Sequence, residues 1–224
     1  MAIPDSLQAV KTRIAAACVA AGRPPEAVQL LVVSKTFPAA AVREAFDAGA
    51  RAFGENYVQE GLAKIEELGD LRSQMQWHLI GPLQSNKTKP VAERFDWVHS
   101  VDRLKVAQRL SEQRPAGLAP LNICLQINIS AEASKSGLLP ADAAALAHQV
   151  AALPGLSLRG LMAVPEPGPG ALAQHQAMAA LWARLQAEGL PLDTLSLGMS
   201  ADLEDAIAAG STMVRVGSAI FGAR

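Results

Sequence analysis

The chain has 224 residues, half of them hydrophobic, with 20 Lys and Arg against 21 Asp and Glu and a formal net charge of −1. That is enough apolar material for one sizeable core, and the charge balance offers neither the basic surplus of a nucleic-acid binder nor an acidic solvating tail. The two cysteines, Cys18 and Cys124, lie far apart in apolar contexts and read as free thiols of a reducing compartment.

The chain opens with Leu7, Val10, Ile14, Ala17, Cys18 and Ala21 at helical spacing, so a helix is expected over about residues 5–21, ended by Gly22 and Pro24. The stretch Ile14-Ala15-Ala16-Ala17-Cys18 has the outline of a lipoprotein cleavage site. Its apolar run is short, however, and Asp5 stands where a positive charge would be needed. No apolar stretch approaches the length of a membrane span, and a cytoplasmic location is expected. Eight short apolar runs then read as strands: Val28–Lys35, Ala50–Asn56, Gln76–Gly81, Trp97–Val101, Leu121–Ser130, Leu156–Val164, Thr194–Ser200 and Met213–Ile220. Helix-period runs separate them, over Ala39–Ala48, Tyr57–Leu68, Lys87–Arg94, Arg103–Glu112, Pro140–Ala151, Ala171–Glu188 and Ala201–Ala208. Repeated βα units imply a parallel sheet, and eight of them suggest closure into a single-domain α/β fold, the (β/α)₈ TIM barrel, over residues 1–224. Pro165 to Gly170 is the one irregular loop of note.

Alternation within the strands predicts the inner face. Asn122, Cys124, Gln126 and Asn128 share one parity of the fifth strand, opposite Ile123, Leu125, Ile127 and Ile129. Ser196, Gly198 and Ser200 likewise oppose Leu195, Leu197 and Met199. The outer face of a barrel packs on helices, so the polar parity faces inward. A polar interior calls for a ligand or for a closed internal hydrogen-bond network, since an unpaired buried polar group costs about 1–3 kcal/mol.

Active sites in this fold lie at the C-terminal strand ends. Lys35 ends the run Leu30-Leu31-Val32-Val33-Ser34-Lys35, where partial burial would make a nucleophilic amine available. The alternative is a lysine that snorkels to the rim. Gly198-Met199-Ser200 and Val216-Gly217-Ser218-Ala219 end the last two strands, the usual phosphate position of these barrels, although each Gly-Ser pair taken singly also reads as a plain turn. Asp202 and Glu204 fit helix capping and are assigned a structural role. Arg215 shares parity with Gly217 and sits beneath it, where it needs acceptors from the inner face or from a ligand. Asn56 and His78 stand on neighbouring strands; either could face a ligand, and a strand histidine can equally be a satisfied core group. The four histidines are scattered, neither cysteine has zinc spacing, and chain order alone argues no Ser-His-Asp set.

Several blocks together resemble a known family: Leu31-Val32-Val33-Ser34-Lys35-Thr36, Phe53-Gly54-Glu55-Asn56-Tyr57-Val58-Gln59-Glu60, Trp77-His78-Leu79-Ile80-Gly81-Pro82-Leu83-Gln84-Ser85-Asn86-Lys87, Ser196-Leu197-Gly198-Met199-Ser200 and Val214-Arg215-Val216-Gly217-Ser218-Ala219-Ile220-Phe221-Gly222. The chain resembles the YggS/PROSC-type pyridoxal phosphate homeostasis proteins, which share the alanine-racemase N-terminal barrel. The resemblance implies a pyridoxal 5′-phosphate (PLP) cofactor held as a Schiff base on Lys35. It implies Ser200, Gly217 and Ser218 at the phosphate, Arg215 at the pyridine nitrogen, and Asn56, His78 and Met162 along the ring. It further implies a role in PLP homeostasis without evident catalysis, with apo PLP-dependent enzymes as potential partners.

The competing reading is a PLP-dependent amino-acid racemase. Racemisation needs an acid/base on each face of the substrate α-carbon, and Lys35 serves only one. Tyr57 is the only tyrosine of the chain, and nothing places it on the other face. A Schiff-base aldolase without PLP explains Lys35 but leaves the two phosphate-type loops without a ligand. No catalytic residue and no metal are therefore expected, and a monomer is the expected state.

Overall fold

The computed structural model describes residues 2–132, 135–166 and 168–222. Eight parallel strands close into a barrel in chain order. They are β1 (Gln29–Val33), β2 (Ala52–Glu55), β3 (Gln76–Leu79), β4 (Trp97–Val101), β5 (Leu121–Gln126), β6 (Leu156–Met162), β7 (Thr194–Ser196) and β8 (Met213–Val216). Closure comes from pairing of β1 with β8, with Leu31 beside Arg215 and Val32 beside Val216. The helices following β1 to β7 are α2 (Ala39–Asp47), α3 (Val58–Glu67), α4 (Thr88–Arg94), α5 (Leu104–Gln113), α6 (Ala143–Ala151), α7 (Ala171–Ala187) and α8 (Leu203–Ala208). The expected strand–helix alternation is therefore the observed one. β4 has the expected bounds, and the other strands are shorter than their apolar runs.

Two features depart from the sequence reading. The eighth strand stops at Val216, and Ser218–Phe221 forms a short helical turn, α9. The strand expected from sequence runs on to Ile220, but the turn closes the Ile220 and Phe221 N–H groups onto the Gly217 carbonyl. Residues 69–74 also form a 3₁₀ turn ahead of β3, which no apolar period announced. The irregular loop at Pro165–Gly170 includes Pro167, which lies outside the described residues.

The N-terminal helix α1 (Ile3–Ala20) buries Leu7, Val10, Ile14 and Cys18. It packs against α2, α8 and α9. It thus fills the place in the outer ring between the helices after β1 and β7, which a helix after β8 would otherwise occupy. Each buried Leu or Ile there contributes about 1.5–3 kcal/mol of burial free energy.

The parity argument holds within the strands and fails just past β7, where the turn reverses it: Met199, expected outside, lines the cavity, and a Cβ on Gly198, expected inside, would meet Ala206 of α8. Ile123, Leu125, Leu195 and Leu197 belong to the main core between barrel and helices. Cys124 instead packs inside with Trp97 and Met162. Burial pushes the Cys124 thiol up to about 12, so it is an inert interior group. No helix among the described residues is long and apolar enough to cross a membrane.

Candidate functional site

A cavity of about 620 Å³ opens at the C-terminal ends of the strands, within the size range of small-molecule sites. Its wall carries Lys35, Asn56, Met162, Ser200, Arg215, Gly217 and Ser218. Seven of the eight residues singled out from sequence thus meet around one space. Lys35 is half-buried at its edge, in the turn that follows β1. The next residue, Thr36, has φ 66°. A left-handed conformation outside glycine costs about 1–2 kcal/mol, and such strain is held only where surrounding contacts over-determine it.

The eighth residue, His78, is not on the wall. It is fully buried one layer down, with Nδ1 3.0 Å from His99 Nε2 and its ring stacked on Trp97 at 5.1 Å. Ile80, two residues on and of the same parity, takes the cavity position instead. The parity rule contained this signal, for the later residue of one parity lies nearer the strand end.

The histidine pair belongs to a polar chain across the barrel interior. His99 Nδ1 lies 3.1 Å from Ser196 Oγ, and Ser196 Oγ accepts from Arg215 Nη1 at 2.8 Å. Arg215 Nη1 also donates to the Ser196 carbonyl at 2.6 Å, and Nη2 to the Ala163 carbonyl at 2.8 Å. A guanidinium has five N–H donors, so these three bonds leave two without a partner among the described residues. Burial lowers Arg215 to about 10, partly opposed by Asp202, so it stays charged at neutral pH. Burial also pushes His78 down to about 3 and His99 in the same direction, the latter helped by His78 and Arg215. Both rings are therefore neutral and can accept a hydrogen bond on one nitrogen, as a chain starting from a cation requires.

The phosphate-type loops are built from both sides. Gly198 has φ 92°, and a Cβ there would lie 2.6 Å from the Ala206 Cβ, so glycine is required on two counts. At Gly217 a Cβ would lie 2.8 Å from the Val33 carbonyl oxygen, so glycine lets the end of β8 close onto the end of β1 beside Lys35. The Ser218 hydroxyl donates to the Ser200 hydroxyl at 3.1 Å, bringing the two loops together.

The loop carrying Ser200 is braced from behind. Asp202 Oδ1 accepts the Met199 N–H at 2.7 Å, and Oδ2 lies 3.0 Å from Nε2 of the buried His175. Burial alone would raise the Asp202 carboxyl, but these two bonds outweigh it and hold it below the usual range. Arg13 of α1 donates to the Ser200 carbonyl at 2.8 Å and pairs with Glu204. Asp202 and Glu204 are thus structural, but they brace a loop across elements rather than merely cap α8. The roles of Arg13, His175 and Phe37 carry no signal in the sequence pattern. Phe37 stacks on Phe221 at 4.7 Å to make one side of the cavity. Tyr57 is well exposed and does not line it. Among the described residues, no group of three His, Cys, Asp or Glu could hold a metal ion.

A barrel whose last two strands end in glycine-serine loops beside a lysine just after its first strand defines a class, and the family model of the alanine racemase N-terminal domain matches residues 6–224. Within that class the chain belongs to the pyridoxal phosphate homeostasis protein family. It is 63% identical over 222 residues to the pyridoxal phosphate homeostasis protein of Pseudomonas aeruginosa, covering 99% of this chain and 96% of that one. It is 56% identical over 226 residues to the protein of the same name from Escherichia coli K12, covering 99% and 97%. The structure of PipY from Synechococcus elongatus, solved with PLP bound, superposes with a TM-score of 0.85 at 40% identity, covering 98% of this chain and 100% of that one. Alanine racemase from Corynebacterium glutamicum shares the fold, with a TM-score of 0.70 at 19% identity, and this chain spans 61% of its length.

Proposed function

We propose that this chain binds PLP in the Lys35 cavity and serves intracellular PLP homeostasis, holding the cofactor without transforming a substrate. The observation that carries the second half is the cavity's titratable inventory. Among the described residues that line it, only Lys35 and Arg215 can ionise. Arginine stays protonated and cannot exchange protons as an acid/base. One acid/base is therefore present, where racemisation needs two on opposite faces.

The residues fit the group. Ser200 and Ser218 offer converging hydroxyls, and Gly217 lets backbone come close, as a phosphate requires. Arg215 lines the cavity with two N–H donors unused and offers no acceptor, so it would suit an unprotonated ring nitrogen. Asn56 and Met162 line the space between. When bound, PLP supplies an aldehyde that condenses with an amine, and Lys35 offers that amine. The names of the relatives and the PLP in the PipY structure support the same reading. His78 then acts on the ring only indirectly, through His99, Ser196 and Arg215. Monomeric state, cytoplasmic location and transfer of PLP to apo-enzymes are parts of the proposal.

The purified protein should be yellow, and its visible band should be lost on borohydride reduction. Incubation with a panel of amino acids in deuterium oxide should give no sustained α-deuterium incorporation. Turnover-like exchange would reinstate the racemase reading, and a colourless protein that takes up no added PLP would remove the binding reading itself.

A further inference from the structure

Behind Lys35, on the face of β1 away from the cavity, lies a charged cluster with no part in lining the site. Lys64 on α3 is buried beside Glu55, the last residue of β2, which is fully inaccessible. Its ammonium donates to the Ser34 carbonyl at 2.7 Å, to Glu55 Oε1 at 2.8 Å and to Glu60 Oε1 at 2.9 Å. Those three bonds use its three protons. The Ser34 hydroxyl donates to Glu55 Oε1 at 2.6 Å, and the Thr36 N–H donates to Glu60 Oε1. The two residues flanking Lys35 are therefore both tied to one buried ammonium, Ser34 directly and Thr36 through Glu60. Thr36 is also the residue held at φ 66°. A buried ion pair seldom improves on apolar packing for stability alone, so a geometric role is the better account of its presence.

We propose that Lys64, Glu55 and Glu60 are positioning residues that fix the backbone on both sides of Lys35 and so aim its amine into the cavity. This rests on the reading of Lys35 as the attachment point. Glu60 and Lys64 act on the backbone at Lys35, whereas phosphate contacts come from the ends of β7 and β8 and ring contacts from Met162, Arg215 and Asn56, of which only Asn56 adjoins the cluster, next to Glu55. Loss of Glu60 or Lys64 should therefore weaken a ligand that bonds to the amine and spare one that cannot.

The test compares dissociation constants for PLP and for pyridoxine 5′-phosphate, which keeps ring and phosphate but carries an alcohol in place of the aldehyde. In Glu60→Ala the Thr36 amide loses its acceptor, and PLP should bind about tenfold more weakly, in line with the cost of small misplacements. Pyridoxine 5′-phosphate should change by less than about twofold. Glu60→Gln keeps an acceptor and should restore most of the PLP affinity. Glu60 is a quarter exposed, so the alanine variant should fold; Lys64→Met should give the same split from the other side of the cluster. Equal weakening of both ligands, or no change in either, would overturn the positioning role. Wild-type protein that binds both ligands alike and traps nothing with borohydride would instead bring down the Lys35 reading, and this one with it.

Discussion

Replacing His78 with asparagine should flatten the acid limb of the stability curve. In the native state burial pushes this ring down to about 3, while in the unfolded chain it titrates near 6.5. The folded value is depressed, so this contribution is intact above about pH 6.5 and drains as the pH falls, because the unfolded chain takes up a proton that the native state refuses. Each group of this kind contributes a slope of about 1.4 kcal/mol per pH unit between roughly pH 6 and its native value. By about pH 5 His78 alone should have cost about 2 kcal/mol. His99 is shifted in the same direction and adds to the loss. Asparagine keeps an amide group facing His99 and does not titrate. It gives up the stacking on Trp97, which lowers stability at neutral pH by about 1–3 kcal/mol. The informative quantity is the difference between wild type and variant, measured by urea unfolding at about pH 7, 6 and 5. That difference should shrink by about 2 kcal/mol over the range, and parallel curves would refute the neutral, desolvated histidine.

The remaining predictions concern the loops. Ser200→Ala should weaken PLP retention with little change in thermal stability, whereas Asp202→Ala, which frees the Met199 N–H and the His175 ring, should cost about 1–3 kcal/mol in unfolding experiments; equal PLP loss in both variants would undo this division of roles. Gly217→Ala places a methyl 2.8 Å from the Val33 carbonyl oxygen, so it should move the end of β1 and reduce borohydride-trapped PLP even though Gly217 offers no side chain to a ligand; an unchanged trapped fraction would contradict that coupling. Arg13→Ala removes a half-exposed pair with Glu204 and should change stability by less than about 1 kcal/mol, with any larger change pointing to the Ser200 carbonyl bond.

The barrel was legible because its evidence is periodic. Parity placed Cys124 and Ser196 inside and Leu125 and Leu195 outside, and the order of βα units gave the strand order. The cavity residues were legible as strand ends, with one error of a single layer at His78, where Ile80 was the nearer residue of the same parity. What could not be read were contacts between distant segments. Phe37 meets Phe221, Arg13 meets Glu204, and Lys64 meets Ser34, and no local period encodes any of these pairs. Ser218–Phe221 failed for a related reason: a short apolar run such as Ala219-Ile220-Phe221 suits a strand or a helical turn equally, and only its closure onto the Gly217 carbonyl decides.

The central claim is that Lys35 holds the cofactor. Protein loaded with PLP, reduced with borohydride and digested should carry the phosphopyridoxyl group on the peptide containing Lys35, and Lys35→Ala should lose both the label and the visible band. Label found chiefly on another lysine, such as Lys64 or Lys135, or an unchanged band in Lys35→Ala, would contradict the account.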